Sequence, residues 1–175
     1  MHQHEASKHP VRSCSPFGHL VFSGLSDGHR KLDQAYQPGR RAMQKYKLWR
    51  TVDCVVGGVY LNPRGKQVQS VLLGLYDHDG KLHYVGRSTL HANAPAITNK
   101  LMPLVGGQGF LGRSPAGKNR WSGRERKVVP LRPELVVEAS ADHITDRYFR
   151  HGARILRWRT DKDPHACTMD QIERG

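Results

Sequence analysis

Five short segments rich in β-branched and apolar residues lie after residue 50 of the 175-residue chain, and their order constrains the fold more than any other feature. Segments of this length and composition are typical of strands in a sheet. Turn residues separate the first three, and the second turn contains the Asp-Gly pair that favours a hairpin. The predicted strands cover residues 51–61, 70–76, 81–86, 135–139 and 148–158. The sequence therefore predicts an all-β domain.

One helix is predicted between the third and fourth of these strands, over residues 93–104. Asn93 can cap it, and Pro95 suits its first turn. Three apolar residues fall on one face of this helix: Ile97, Leu101 and Leu104. Three strands, a short helix and two more strands is the order of the OB-fold, a five-stranded Greek-key barrel that commonly binds nucleic acid.

The charge of the chain indicates what it binds. There are 28 Lys and Arg against 15 Asp and Glu, a formal net charge of +13. Such an excess favours a polyanionic partner, either nucleic acid or an anionic membrane surface. No apolar run approaches the roughly 18–20 residues of a spanning helix, and no apolar stretch follows a basic N-terminus. We expect a monomeric, cytoplasmic protein with no membrane partner.

Residues 1–35 differ from the rest in composition, with scattered Ser, Gly, Pro and His and only a short apolar patch. We expect an irregular or disordered N-terminal extension over 1–35 and the OB-fold domain over 36–175. Metal binding by the histidines is the alternative for the extension, but no pair has zinc-finger spacing. The three cysteines, without a Cys-x-x-Cys pair, predict neither a disulfide framework nor a zinc site. No metal site is predicted.

Two basic clusters are candidates for phosphate contacts. In the first, Lys45 and Lys47 would project from one face of an extended backbone, so that two ammonium groups converge on one phosphate. A solvated basic linker is the alternative. The second cluster, residues 147–162, interleaves arginines with aromatic residues, as tracking of a nucleic-acid backbone requires. Its alternative is a charged outer face on an edge strand.

A long loop over residues 106–123, rich in Gly, Ser and Arg, adds further cations to this picture. Loops of this length in a compact domain are commonly functional or disordered. From the loop and the second cluster together we predict six DNA-contacting residues: Arg113, Lys118, Arg120, Arg150, Arg154 and Arg157.

Several stretches of the chain, taken in order, resemble bacterial ATP-dependent DNA ligases. Tyr-Gln-Pro-Gly-Arg-Arg-Ala-Met at 36–43, with Lys-Tyr-Lys at 45–47 and Arg-Thr-Val-Asp-Cys-Val-Val at 50–56, is similar to the family's junction between nucleotidyltransferase and OB domains, where motif V lies. The stretches 73–77, 120–121 and 131–138 resemble the OB body. Tyr-Phe-Arg-His at 148–151 and Arg-Trp-Arg-Thr-Asp-Lys at 157–162 resemble motif VI. The resemblance covers residues 36–172.

The resemblance implies a mechanism and roles within it. A ligase lysine attacks the ATP α-phosphate, AMP passes to the 5′-phosphate of a nick, and the 3′-hydroxyl displaces it. The motif V residues Lys45 and Lys47 are implied to contact the nucleotide α-phosphate. The motif VI residues Arg159, Asp161 and Lys162 are implied to orient the ATP pyrophosphate, before the domain rotates to clamp the duplex. ATP and Mg²⁺ are implied for the full ligase, and neither is expected to bind this chain tightly on its own.

The chain also departs from the family. The nucleophile motif is Lys-x-Asp-Gly-x-Arg, and Asp-Gly-x-Arg occurs at 27–30, but Leu25 stands where the nucleophilic lysine belongs. An alkyl side chain cannot form a phosphoramidate. The match also lies too close to motif V, so we interpret residues 26–34 as a remnant of motif IV, and find no adenylation domain.

The resulting hypothesis is a truncated or split DNA ligase that binds nicked duplex DNA in repair or replication. It would be inactive alone and would need a separate adenylation domain. Two alternatives stay open. One is a freestanding nucleic-acid-binding OB protein without a ligase role, and the other is an RNA-binding module, which rests only on charge.

Overall fold

The computed structural model describes residues 28–29, 44–45, 49–90, 93–115 and 126–173. Ten strands are assigned in this part of the chain: β1 Gly28–His29, β2 Gln44–Lys45, β3 Arg50–Leu61, β4 Val68–Tyr76, β5 Leu82–Thr89, β6 Val129–Pro130, β7 Val136–Ala141, β8 Ile144–Thr145, β9 Tyr148–Phe149 and β10 Arg154–Trp158. The helices are α1 Ala94–Leu101 and α2 Asp170–Glu173, with 3-10 turns at Met102–Leu104 and Pro164–Ala166. In the described residues neither α-helix is long enough to cross a bilayer.

Five longer strands form one antiparallel sheet in the order β10-β7-β3-β4-β5, and β6 pairs with the far end of β3. Numbered by their appearance in this sheet, the five strands run 5-4-1-2-3, which is the Greek-key order of the OB-fold. The sheet closes beside β5, where the Ala153 N–H donates to the Arg87 carbonyl at 2.8 Å. The predicted all-β OB-fold, with its short helix between the third and fourth main strands, is confirmed.

The last predicted strand, residues 148–158, is wrong as a single element. The chain turns at Gly152, whose φ of +86° is a conformation that favours glycine. The segment before this turn, β9, pairs with β8 in a separate hairpin, and the segment after it, β10, joins the main sheet. The β-branched and aromatic residues on both sides of Gly152 do lie in strands, but their pattern did not indicate the break between those strands.

The predicted helix is also shorter than expected. Regular α-helix ends at Leu101, because Pro103 has no N–H to donate back into the helix, and the chain tightens into a 3-10 turn over Met102–Leu104. Asn93 does occupy the capping position, but it has a φ of 59° and its side chain makes no capping hydrogen bond. Its carbonyl accepts the Ile97 N–H instead, at 3.1 Å.

The predicted N-terminal extension lies outside the described residues apart from β1. The backbone of β1 pairs antiparallel with β2, with Gly28 opposite Lys45 and His29 opposite Gln44. This pairing places the backbone of Gly28–His29 beside Gln44–Lys45, ahead of the first strand of the main sheet. The boundary between residues 35 and 36 stays a prediction.

The C-terminal segment is hydrogen-bonded to the barrel at the end of β4. Val52, Val55 and Leu75 are buried inside the sheet. The segment after β10 runs back to the end of β4, where the Tyr76 N–H donates to the Cys167 carbonyl at 2.8 Å and the Met169 N–H donates to the Tyr76 carbonyl at 2.9 Å. This connection brings α2 against the start of the barrel.

Candidate phosphate-binding site

Strand register places three charged residues side by side on one face of the sheet. Asp53 of β3 lies opposite Glu138 of β7, and Glu138 lies opposite Arg157 of β10. Paired residues in antiparallel strands project to the same face, and Arg157 Nε donates to Glu138 Oε2. Arg159 follows two residues later, just beyond the end of β10. Two acids and two guanidinium groups therefore lie together at this edge of the barrel.

Arg159 lies between two carboxylates and contacts both. Its Nη1 donates to the two oxygens of Asp53 at 3.2 and 3.3 Å. Its Nε donates to the two oxygens of Asp161 at 3.0 and 3.2 Å, and Nη2 donates to Asp161 Oδ2 at 2.9 Å. The planar fork of a guanidinium suits such paired contacts. Only 20% of the Arg159 side chain and 14% of the Asp53 side chain are exposed.

Lys162 completes what we term the Asp53 cluster, which consists of Asp53, Arg159, Asp161 and Lys162. Lys162 Nζ donates to Asp53 Oδ2 at 2.8 Å. Gln171 of α2 holds the main chain of Asp53 on both sides. The Asp53 N–H donates to Gln171 Oε1 at 3.0 Å, and Gln171 Nε2 donates to the Asp53 carbonyl at 3.1 Å.

The contacts between Arg159 and Asp161 favour the charged form of both side chains. Hydrogen bonds from Arg159 are the main cause that lowers the pKa of Asp161 from 3.8 to about 2. The hydrogen bond to Asp161 is likewise the main cause that raises the pKa of Arg159, helped by the charge of Asp53. Arg159 and Lys162 both converge on the Asp53 carboxylate, and the same donors suit a phosphate oxygen.

The structure brings together Arg159, Asp161 and Lys162, the three residues grouped by sequence, but it adds a partner that sequence reasoning missed. Asp53 is a carboxylate inside the apolar stretch of residues 52–56. A charge in a half-buried strand requires a partner of opposite sign, and that rule was the signal available. The sequence did not indicate which cation would pair with Asp53, because Arg159 lies 106 residues away in the chain.

Two of the predicted DNA contacts adjoin the hairpin formed by β8 and β9, and a third follows it in the chain. Arg113 Nη1 donates to the Asp146 carbonyl at the hairpin turn, at 3.3 Å. Arg150 leaves the hairpin at its base, where its N–H donates to the His143 carbonyl at 3.1 Å. Arg154 begins β10 and is exposed. Arg157 lies instead on the face of the Asp53 cluster, paired with Glu138.

A cleft of about 500 Å³ lies beside this hairpin. Its wall includes Arg154 together with Arg87, His151 and the indole of Trp49, which is 57% exposed. Arg87 and Trp49 were not among the predicted contacts. Nothing in the local sequence around Arg87 marks it, because its neighbours in β5 are ordinary strand residues.

Several predicted site residues cannot be placed. Lys47, Lys118 and Arg120 lie outside the described residues, and of Lys45 only the backbone, in β2, is described. The predicted convergence of Lys45 and Lys47 therefore stays a prediction. Within the described ranges, no group of three or more His, Cys, Asp or Glu side chains could hold a metal ion.

Comparisons with known proteins identify the family of the chain. The family model of the C-terminal region of ATP-dependent DNA ligases matches residues 64–162, so the match ends on Lys162 of the Asp53 cluster. DNA ligase C2 of Mycolicibacterium smegmatis is 40% identical, over 82% of this chain and 46% of that protein. DNA ligase C of Mycobacterium tuberculosis is 39% identical, over 79% of this chain and 43% of that protein.

Solved structures give the same result. The ligase domain of M. tuberculosis LigD superposes with a TM-score of 0.56 at 27% identity, covering 79% of this chain and 45% of that one. A mycobacterial DNA ligase D complexed with ATP and MES gives a TM-score of 0.53, also at 27% identity, over 79% of this chain and 44% of that one. The chain spans less than half the length of the relatives it matches. It belongs to the ATP-dependent DNA ligase family, whose C-terminal OB-fold region it contains.

Proposed function

We propose that the chain binds nicked duplex DNA and supplies motif VI to an adenylation domain, so that the assembled ligase is adenylated by ATP and seals nicks. The observation that carries the proposal is the convergence of Arg159 and Lys162 on the Asp53 carboxylate. Both cations already point at one oxygen anion, as contacts to a polyphosphate require. Cations so placed stabilise the negative charge of a phosphoryl group during transfer.

The donor set of the Asp53 cluster fits the pyrophosphate part of ATP. Arg159 and Lys162 would hold it, and Asp161 would fix the orientation of the guanidinium by accepting hydrogen bonds from Nε at both of its oxygens. ATP, bound with Mg²⁺, supplies the adenylyl group of the reaction. The nucleophilic lysine would come from the adenylation domain, since Leu25 stands in its place in the only Asp-Gly-x-Arg stretch of these 175 residues.

DNA binding is proposed for the side of the barrel that carries the β8–β9 hairpin. Arg113 and Arg150 adjoin this hairpin, Arg154 begins β10 after it, and all three are exposed. Contacts from arginine side chains to backbone phosphates position a protein on DNA and carry no sequence information. The excess charge of +13 supports the same partner.

Complementation tests the proposal. The 175-residue chain is mixed with a separately produced adenylation domain of a relative such as DNA ligase C, and sealing of a nicked duplex is measured. We expect sealing by the mixture and none by this chain alone. Lys162→Ala should impair formation of the adenylated enzyme, while Lys81→Ala, on the β4–β5 turn, serves as the matched control. A mixture that stays inactive with every such domain contradicts the proposal.

The second candidate is a freestanding nucleic-acid-binding OB protein, favoured by the exposed Trp49 in the cleft beside Arg87 and Arg154. Proteins that bind by stacking bases on aromatic side chains prefer single strands. Gel shifts with nicked, intact and single-stranded DNA separate the two. Preference for single strands, together with failure of complementation, favours the second candidate.

A further inference from the structure

The carboxylate of Asp53 occupies the position in which a phosphate would contact both cations of the cluster, Arg159 and Lys162. Arg159 Nη1 and Lys162 Nζ donate to it at distances of 2.8 to 3.3 Å. We propose that Asp53 is an internal counter-anion of the domain, which holds Arg159 and Lys162 in position and is exchanged for the polyphosphate that they bind. The inference rests on the proposed function and assigns a positioning residue to it.

Geometry makes the exchange competitive. A lysine ammonium has three donors and a guanidinium has five, and Arg159 Nη1 and Lys162 Nζ are the groups that both donate to Asp53. A phosphate oxygen between the same two cations would lie where a carboxylate oxygen lies. Two anions at that distance repel each other strongly in a half-buried site, so Asp53 must release one or both cations when a polyphosphate binds.

The surroundings of Asp53 allow its side chain to release its partners without disturbing the fold. Its main chain is paired with β7 and is held by Gln171 through two further hydrogen bonds, none of which uses the carboxylate. Arg159 keeps its contacts with Asp161 through Nε and Nη2, and these do not involve the Nη1 that binds Asp53. The exchange therefore requires side-chain motion only.

This arrangement explains why a half-buried acid is present in an otherwise apolar strand. Without an anion, Arg159 and Lys162 would repel each other across the edge of the barrel, and their side chains would lose the shared orientation. Asp53 supplies that anion whenever no polyphosphate is bound. The same charge lowers the affinity for polyphosphate. Asp53 therefore orients the two cations in advance and also allows a bound polyphosphate to leave readily.

Titration of the full 175-residue chain with inorganic pyrophosphate, without divalent metal, tests this inference by calorimetry. Asp53→Asn keeps the size of the side chain but removes the competing charge. We expect Asp53→Asn to bind pyrophosphate at least about tenfold more tightly than the native chain. Asp79→Asn, which removes an exposed carboxylate from the β4–β5 turn, is the matched control and should not change the affinity. Adding Lys162→Ala to Asp53→Asn should abolish the gain.

A second measurement uses the native chain and does not depend on the folding of a variant. With ¹³C-labelled aspartate, the carboxyl resonance of Asp53 should shift as pyrophosphate is added, whereas that of Asp79 should not. A stationary Asp53 resonance at saturating pyrophosphate overturns the inference.

Two calorimetric results separate this inference from the proposed function. Equal affinity of the native chain and Asp53→Asn, lost in Lys162→Ala, overturns the role of Asp53 and leaves the phosphate site in place. No binding of pyrophosphate by either protein overturns the inference about Asp53, whereas the proposed function is decided by complementation with an adenylation domain.

Discussion

Phe149 packs directly against the backbone of Gly86 where the barrel closes. A methyl group added at Gly86 would lie 2.7 Å from Phe149 Cδ2 and 2.8 Å from its Cβ, so the close approach depends on the glycine. Phe149 is 1% exposed although its strand, β9, lies outside the main sheet. Its ring fills the seam that the sheet leaves between β5 and β10.

Gly86→Ala is therefore expected to destabilise the protein by about 1–3 kcal/mol, because overpacking forces the ring or the strand to shift. Urea unfolding followed by circular dichroism measures the change. In a Phe149→Ala background the same substitution should destabilise much less, since the space is then vacant. Gly86→Ala stabilising the protein in both backgrounds would show that the seam tolerates the methyl group.

The seam between β5 and β10 shows which parts of the fold the sequence predicts. The β-branched segments and the helix between them were sufficient to obtain the strand order, because apolar periodicity depends on residues close in the chain. The closure through Phe149 and Gly86 was not predictable, since it joins residues that are 63 positions apart and depends on a break at Gly152. Asp53 shows the same limit for the site: its need for a cation was readable, but its partner was not.

Burial protects two of the three thiols from reaction. Burial is the main cause that raises the pKa of Cys54 well above its ordinary value and that of Cys167 to about 11. Since the thiolate is the reactive form, only about one part in a thousand of Cys167 is reactive at pH 8. In a Cys14→Ser background, which removes the third cysteine, we expect little reaction with Ellman's reagent until the protein is unfolded in guanidinium. Rapid release of two equivalents from the native protein would contradict this.

His83 connects the Arg113 loop to the sheet. The Arg113 N–H donates to His83 Nδ1 at 3.0 Å, and His83 Nε2 lies 2.6 Å from Asp77 Oδ2. His83→Ala removes the acceptor, so the Arg113 amide should exchange with solvent about tenfold faster and DNA affinity should fall. Hydrogen exchange followed by NMR measures the first effect and gel shifts measure the second.

Two substitutions of His83 separate its contacts. His83→Asn offers an acceptor near the position of Nδ1, while His83→Gln offers a donor near Nε2. Protection of the Arg113 amide should be retained better by the Asn variant than by the Gln variant. Equal loss in both would mean that the loop is held by other contacts.

Stability should fall in acid through Asp161. The pKa of its carboxyl is about 2 in the folded protein, below the ordinary value of 3.8, chiefly because of Arg159. A carboxyl whose pKa is lower in the folded than in the unfolded protein stabilises the fold at pH values above its unfolded pKa. It loses that contribution as the pH falls through its folded pKa. The loss should therefore occur between about pH 4 and pH 2. Asp161→Asn should flatten the pH dependence of the urea midpoint in this window, and an unchanged slope would refute the assignment.

Salt dependence should reveal which arginines contact DNA phosphates. If the basic surface neutralises about six phosphates, log affinity should fall against log salt concentration with a slope of roughly −5. Arg154→Ala should make that slope less negative by about 0.9. Arg157→Ala should change it less, because Arg157 is ion-paired with Glu138 and must leave that partner to bind a phosphate.

Glu138→Gln provides the complementary test of Arg157. Removal of the carboxylate releases the guanidinium, so affinity for nicked duplex should rise and the salt slope should become steeper. The matched control is Arg132→Ala, which removes an exposed arginine paired with Glu134 at 3.1 Å and outside the predicted set. Fluorescence anisotropy at four salt concentrations measures all four proteins alongside the native chain. If Glu138→Gln and Arg132→Ala both leave the slope unchanged while Arg154→Ala alters it, Arg157 does not contact DNA and serves only as the partner of Glu138 beside the Asp53 cluster.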